Sequence, residues 1–386
     1  MVAETLFFLS VLLIFHTLIG YPLSLMLVDR FAKKPPLRRD LSLRPTVTVI
    51  VPAHNEEKTI RAKLENLIGL NYPRELLEVI VASDNSTDRT NEIVASFASE
   101  HSDYDIKLYV VMERKGKTNA QNEAVRIATG EILVFSDANA MLHRDAVTHL
   151  VSSFTEEDII YVTGKLVYIN QDEAMSSKAE SDYWNYDLFM RKVESDVRTI
   201  TAGNGALYAI RKAEYVFFDP IRCHDAAMPS YAALNHKRAL FNEKAIAYER
   251  AGATSSDEFR RKVRMFRGGL RPLYEDACKY NPFRYGWYSY FYFSHRSCRR
   301  ALFIFHIIAL LTNLFISGQH WLFQLALIGQ LVFFVLALLR CLFRFNGKVF
   351  YYPYYYCMTL VAQIVGTYNH LTGNSRPFWE KAETTR

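Results

Sequence analysis

Residues 5–28 and residues 301–339 of this chain contain no Asp, Glu, Lys or Arg. A helix of ~20 apolar residues crosses the ~30 Å hydrocarbon core of a bilayer. Lipid leaves no water to satisfy loose backbone groups, so such a stretch has few other ways to fold. Residues 5–28 predict one spanning helix. A cleaved secretory leader is the rival reading, but it calls for a basic start and a small-residue cleavage site, and the segment shows neither. Arg30, Lys33, Lys34, Arg38, Arg39 and Arg44 follow at once. The positive-inside rule places what comes after them in the cytosol. Ser317-Gly318-Gln319 divides 301–339 into two spans, with Arg296, Arg299 and Arg300 before it and Arg340, Arg344 and Lys348 after it. Both ends of that hairpin therefore read as cytosolic. A third apolar segment, 349–368, is rich in tyrosine and contains Pro353. It either spans or lies in the interface, and the side of the C-terminus stays open.

Charge follows the same division. The 386 residues hold 46 Lys+Arg and 40 Asp+Glu, a net +6. A basic balance suits nucleic acid or a membrane surface, and position decides between them. From Ala277 to Trp379 there is no acid, and nine cations. Residues 45–276 hold 29 cations and 35 acids, a net −6, and residues 29–44 carry +4. The surplus belongs to a lipid boundary, so no nucleic-acid partner is expected. Five scattered cysteines without a Cys-x-x-Cys pair form neither a disulfide framework nor a zinc site. The expected layout is an anchor at 1–28, a basic linker at 29–44 and a cytosolic domain at 45–276. An interfacial segment at 277–300, membrane segments at 301–368 and a tail at 369–386 complete it.

The first half of the 45–276 domain alternates two periodicities. Residues 46–51, 77–83, 106–111 and 131–137 are short apolar or β-branched runs, and 56–70, 86–100 and a segment from 117 have helical spacing. The expectation is an α/β domain with a mostly parallel sheet flanked by helices, and ligands at the carboxyl ends of the strands.

Each predicted strand ends in polar residues. V-P-A-H-N-E-E (51–57) follows the first, with Pro52 expected to stop the ladder. S-D-N-S-T-D (83–88) follows the second, where Asp84 can reach a uracil or ribose, Ser86 can cap the next helix, and Asp88 can be a first-turn acid. E-R-K-G-K-T-N-A (113–120) puts Lys115, Gly116 and Lys117 near a helix N-terminus, which suits a diphosphate, although the P-loop spacing is absent. F-S-D-A-N (135–139) offers Asp137 as a ligand for Mg²⁺ or Mn²⁺, with Asn139 as a further oxygen donor. Each alone equally fits a turn, a cap or a solvated loop; four in order, each at a strand exit, are much more specific.

Together these four motifs resemble the membrane-associated family-2 glycosyltransferases of GT-A fold, related to exopolysaccharide, poly-N-acetylglucosamine, hyaluronan and cellulose synthases. The D-A-N triplet resembles their DxD motif with Asn139 in the second acidic position. The resemblance implies that Pro52, Ala53, Asn55, Glu56 and Asp84 lie on the uridine side of a UDP-sugar. It implies Lys115 and Lys117 by the diphosphate, and Asp137 and Asn139 on the metal, Asp137 touching the nucleotide as well. T-A-G-N-G-A-L-Y-A-I-R-K (201–212) is similar to the family's Gly-rich segment before the acceptor site. H-D-A-A-M-P (224–229) stands where the family has an acid pair, which implies Asp225 as general base and leaves His224 to tune it, to touch the metal, or to do neither. R-R-K-V-R-M (260–265) replaces Gln-x-x-Arg-Trp, with Arg261 for Gln, Met265 for Trp, and Arg264 retained to neutralise the leaving diphosphate. The resemblance covers residues 45–300.

The implied activity is inverting, metal-dependent sugar transfer to a lipid-linked or polysaccharide acceptor at the cytosolic face of the bacterial inner membrane. Lipid, polysaccharide-assembly proteins or a second copy of the chain are the further partners expected. Processive synthesis, glycosylation of a polyprenyl phosphate, and a non-enzymatic nucleotide-binding membrane subunit are the alternatives. Tyr183, Trp184 and Tyr186 form either a sugar-stacking platform or plain core.

Overall fold

The computed structural model describes residues 1–34, 37–170, 175–250, 254–345 and 347–377, with side chains described at the same positions except 175–185. Eight strands form one sheet: β1 Val47–Ala53, β2 Leu77–Ser83, β3 Asp105–Val110, β4 Ile132–Ser136, β5 Met141–Leu142, β6 Ile159–Tyr168, β7 Leu207–Arg211 and β8 Arg238–Glu249. Their order is β3-β2-β1-β4-β7-β6-β8-β5. The β3-β2-β1-β4 half is parallel, as the alternating periodicities predict. β7 then pairs antiparallel with both β4 and β6, while β6 and β8 are parallel. The sheet is buried on both faces. Val49 and Val51 of β1 pack with Ile60 and Leu64 on one side, and Ile50 packs with Ala120, Ala124 and Phe135 on the other. That two-sided burial explains near-continuous apolar strands in place of strict alternation.

Three local expectations are corrected. Pro52 does not stop β1: Pro52 pairs with Ala82 and Ala53 with Ser83. Ala53 faces β2, where its carbonyl accepts from the Asp84 amide. The nitrogen of Pro52 therefore faces the β4 side, where pairing has ended at Ile50–Phe135, so no ladder bond is lost. The first helix runs from Ile60 to Ile68, because residues 54–59 form a turn. The second helix starts at Thr90, and Asp88 Oδ1 takes the Thr90 amide at 3.0 Å. Ser86 is used elsewhere, accepting the Asn55 amide at 3.1 Å.

Among the described residues two single helices are long and apolar enough to cross a membrane: Val2–Phe31, with mean hydropathy 2.1, and Trp321–Phe343, with 2.5. The 301–339 stretch does break near Gly318, but its first arm, Leu302–Ile316, has only 15 residues. At 1.5 Å per residue that is about 22 Å, short of a full span. Together with Trp287–Cys298, across a 64° bend, it is long and apolar enough to count as a broken span or a re-entrant loop. Residues 349–368 fall within one helix, Lys348–Leu371, which runs through Pro353. Its Tyr351, Tyr355 and Met358 pack on Phe259 of the amphipathic helix Ser255–Met265. That contact joins the last helix to the catalytic half.

A buried ionic cluster makes the second such joint. In the helix Met175–Val197, Asp187 and Glu194 hold His295 of the interfacial segment between them, with Nε2–Oδ1 2.9 Å and Nδ1–Oε1 2.6 Å. Asp187 also takes Arg191 at 2.6 Å and Arg299 at 2.8 Å, and Glu194 accepts from Tyr21 of the N-terminal helix at 2.6 Å.

Candidate active site

The motif residues meet at the carboxyl edge of the parallel strands. After β1 and β2 the chain turns at Asn55 (φ 54°) and Asn85 (φ 55°), a conformation Asn tolerates better than most residues. The two exits are laced together: Asn55 Oδ1 accepts the Thr87 amide at 2.8 Å, and the Glu56 amide donates to Thr90 Oγ1 at 2.6 Å. Glu56 is buried, and its carboxylate accepts from Thr59 Oγ1 at 3.0 Å. Asp84 is buried as well. Its two carboxylate oxygens take the amides of Lys115 (3.0 Å) and Gly116 (2.8 Å), which clamps the third exit loop onto the second.

Lys117, the first residue of the helix Lys117–Ile127, turns inward. Its Nζ is ion-paired with Asp137 and donates to Gly205 O at 3.2 Å. Burial by itself would lower the Lys117 pKa; Asp137 and Asp225 outweigh it and leave it raised. Gly205 marks the meeting point. A Cβ there would lie 2.9 Å from Lys117 Nζ, 3.7 Å from Asp225 Oδ2 and 3.8 Å from Asp137 Oδ2. Lys117, Asp137 and Asp225 thus converge from residues far apart in sequence.

The Gly-rich loop is held from below. Asn204 Oδ1 accepts the amides of Ala206 and Leu207, and its Nδ2 donates to Gly164 O at 2.6 Å. Gly203 donates to the Asp225 carbonyl at 2.7 Å, which fixes the first turn of the helix His224–Leu234. Arg264 belongs to the same neighbourhood. Burial and the like charge of Arg261 lower its pKa to about 10, while Asp137 and Cys223 oppose the shift.

Other expected residues make different contacts. Lys115 contributes its amide, but its ammonium reaches out to Glu113 at 2.8 Å. Asn139 donates to Glu249 at 2.8 Å. His224 is built into an aromatic stack with Phe135 and Tyr215, and its Nε2 contacts Val216 O at 3.1 Å. Burial lowers its pKa to about 4. A histidine packed in this way belongs to the core, with its buried Nδ1 unpartnered among the described residues. Met265 is half exposed. Tyr183 and Trp184 lie outside the described side chains, and Tyr186 donates to Leu18 O at 2.7 Å, which makes it a contact to the N-terminal helix.

Sequence reasoning missed Lys63. It is fully buried, donates to Ser136 Oγ at 2.8 Å, and is also bonded to the Ala140 carbonyl, so it grips both sides of the D-A-N loop. Its helical spacing gave no hint of this. Glu249, at the end of β8, was equally silent.

Asp137 and Asn139 carry hard oxygen donors, and among the described residues no three His, Cys, Asp or Glu side chains form a metal-holding group. Such a donor set fits Mg²⁺ or Mn²⁺ completed by substrate phosphates and water, since these ions need few protein ligands.

Residues 48–215 match the glycosyl transferase family 2 model. A probable glycosyltransferase, YdaM, of Bacillus subtilis (strain 168) is 35% identical over 186 residues, 45% of this chain and 43% of that protein. A beta-monoglucosyldiacylglycerol synthase of Nostoc sp. is 31% identical over 163 residues, 42% of this chain and 34% of that protein. The chain thus spans less than half the length of either of these curated relatives. The mannosyltransferase PcManGT from Pyrobaculum calidifontis, solved with GDP-Man and Mn²⁺, has the same fold: TM-score 0.71 at 24% identity, covering 95% of this chain and 99% of that one. Strand-exit motifs, family match and fold agree: residues 48–215 match glycosyl transferase family 2, in a chain that shares the fold of that mannosyltransferase.

Proposed function

We propose that the protein transfers a sugar, with inversion, from a UDP-sugar to a lipid-linked or glycan acceptor at the cytosolic face of the bacterial inner membrane. The convergence of Lys117, Asp137 and Asp225 on Gly205 carries this reading. It pairs a cation and a metal-competent carboxylate with a second carboxylate, in one place, at the sheet edge where nucleotides bind. Asp225 takes the proton of the acceptor hydroxyl while that oxygen attacks the anomeric carbon. The bond from that carbon to the diphosphate breaks on the opposite face, and the nucleoside diphosphate leaves with the electron pair. Lys117 and Arg264 offset the charge that develops there. Asp137, with Asn139, would hold the divalent ion, which supplies further charge stabilisation to the diphosphate when bound. Asp84, Pro52, Ala53, Asn55 and Glu56 shape the nucleoside side, and the Lys115 amide acts through Asp84.

The apolar helices Val2–Phe31 and Trp321–Phe343 support a membrane site, and the basic residues after the first support a cytosolic catalytic domain. The relative named for a diacylglycerol product supports a lipid acceptor. Met265, at the position where processive synthases carry Trp, favours single transfer. The test is a panel of sugar nucleotides offered to the full chain in lipid with Mn²⁺ or Mg²⁺. Release of nucleoside diphosphate from at least one, lost in Asp137→Ala, is expected; release from none, or full activity in Asp137→Ala, rejects the reading. A single added sugar on the product separates transfer from polymerisation.

A further inference from the structure

A pocket lies beside the turn that carries Asp225. Its walls come from the start of the helix His224–Leu234, the loop after the helix Ser255–Met265, and the interfacial helix that precedes Leu302–Ile316. Six cations line it: Arg222, Arg267, Arg271, Lys279, Arg296 and Arg300. Only two acids do so, Glu275 and Asp276, which leaves a formal +4.

The cations are not neutralised within the fold. Glu275 is shared between Arg222 at 3.4 Å and Arg271 at 3.0 Å. Arg267, Arg300 and Lys279 donate to backbone carbonyls, those of Pro377, Gly269 and Pro272, which align the side chains without cancelling their charge. The Arg296 guanidinium has no hydrogen-bond or ion-pair partner among the described residues, and the residue is half-buried in the wall. The first turn of an 11-residue helix, Cys223 to Ala227, adds its amide dipoles to the same space. Met265, Leu273 and Tyr292 supply apolar wall.

We propose that this pocket binds the phosphate or diphosphate group of a lipid-borne acceptor. Several guanidinium groups with a surplus of charge suit a phosphate better than a carboxylate or a neutral glycan. The volume, about 150 Å³, is below the ~300–1,000 Å³ of a whole small-molecule site, so it takes a head group and not a second sugar nucleotide. Arg222 and Cys223 line the pocket three and two residues before Asp225, so an anion held there delivers what it carries to the base. Arg296 and Arg300 sit at the junction with the apolar helix Leu302–Ile316, where a lipid tail would leave. The inference rests on the transfer reading only for the role of the bound lipid, not for the binding itself.

Binding is therefore the readout. The full chain in phosphatidylcholine nanodiscs, with UDP, GDP and Mn²⁺ in excess to fill the donor site, is titrated with geranylgeranyl diphosphate. Geranylgeraniol, inorganic pyrophosphate and phosphatidylglycerol are the other arms. The prenyl diphosphate should bind at least tenfold tighter than each of these, and Arg222→Gln/Arg296→Gln should weaken it at least tenfold. Equal binding of geranylgeraniol removes the phosphate, equal binding of pyrophosphate removes the lipid, and equal binding of phosphatidylglycerol makes the pocket a general lipid contact; each overturns the proposal. So does unchanged binding in the double variant. Should that variant fail to fold, Ala226→Glu puts a carboxylate into the wall from an exposed first-turn position where acids are tolerated, and the same loss is expected. A chain that binds the prenyl diphosphate yet releases nothing from any sugar nucleotide refutes the transfer reading alone. An active chain without phosphate selectivity refutes the pocket alone.

Discussion

Lys117 Nζ donates to the carbonyl oxygen of Gly205 at 3.2 Å, and a methyl group on Gly205 would stand 2.9 Å from the same nitrogen. The flexible end of a lysine can move aside, so Gly205→Ala should disturb the ion pair with Asp137 and leave the core intact. Sugar transfer is expected to fall about 10–100-fold, with a shift in Tm of under ~2 °C. Gly203 behaves in the opposite way. A Cβ there would meet the Tyr161 hydroxyl at 1.9 Å, and that ring is fully buried. Gly203→Ala should cost about 1–3 kcal/mol of stability. Thermal melts and transfer assays on the pair check both outcomes.

Asp137 and Asp225 should separate donor binding from chemistry. Asp225→Asn keeps the shape of the first helical turn and removes the proton acceptor, so transfer should fall about 10²–10⁴-fold while nucleotide affinity holds. Asp137→Ala should weaken metal-dependent nucleotide binding itself. Calorimetric titration of nucleoside diphosphate, with and without Mn²⁺, reads the difference.

His224 sets an acid limit on stability. Its pKa is about 4 in the fold against a reference of 6.5, because burial disfavours the charged ring. Between those values the unfolded chain binds a proton that the folded chain does not, so stability falls as pH drops from 6.5 to 4. The full effect is about 3 kcal/mol for a shift of this size. His224→Phe preserves the stack on Phe135 and Tyr215 and should remove that part of the acid loss. Denaturation curves at pH 7, 5.5 and 4.5 test it. An unchanged Mn²⁺ requirement in the same variant is expected from a core role.

His295→Ala should cost about 3–5 kcal/mol, since it strips Asp187 and Glu194 of a shared partner in a buried site. The N-terminal helix should loosen with it, because Tyr21 is bonded to the same Glu194. Protease sensitivity of residues 29–44 in reconstituted protein is the readout.

Much of the donor edge was legible because it depends on local order. Strands β1 to β4 end within two residues of the predicted positions, and Asp84, Lys117 and Asp137 occupy their exits. A short apolar run followed by an acid carries its own signal. Lys63 had none: its role comes from Ser136 and Ala140, more than seventy residues away. Asp88, in place of Ser86, takes the amide at the start of the second helix, because Ser86 is engaged by the Asn55 amide.

The apolar lengths, the division of charge and the order of the strand-exit motifs were determined by the sequence alone, since each depends on residues close together in the chain. Three matters rested on tertiary structure. The antiparallel insertion of β7 brings Gly205 beside Lys117. The packing of His224 takes it into the core. The cationic pocket gathers Arg222, Arg271 and Arg296 from three separate segments. Each is a contact between residues that sequence spacing cannot relate, because burial and charge act through space while periodicity acts along the chain.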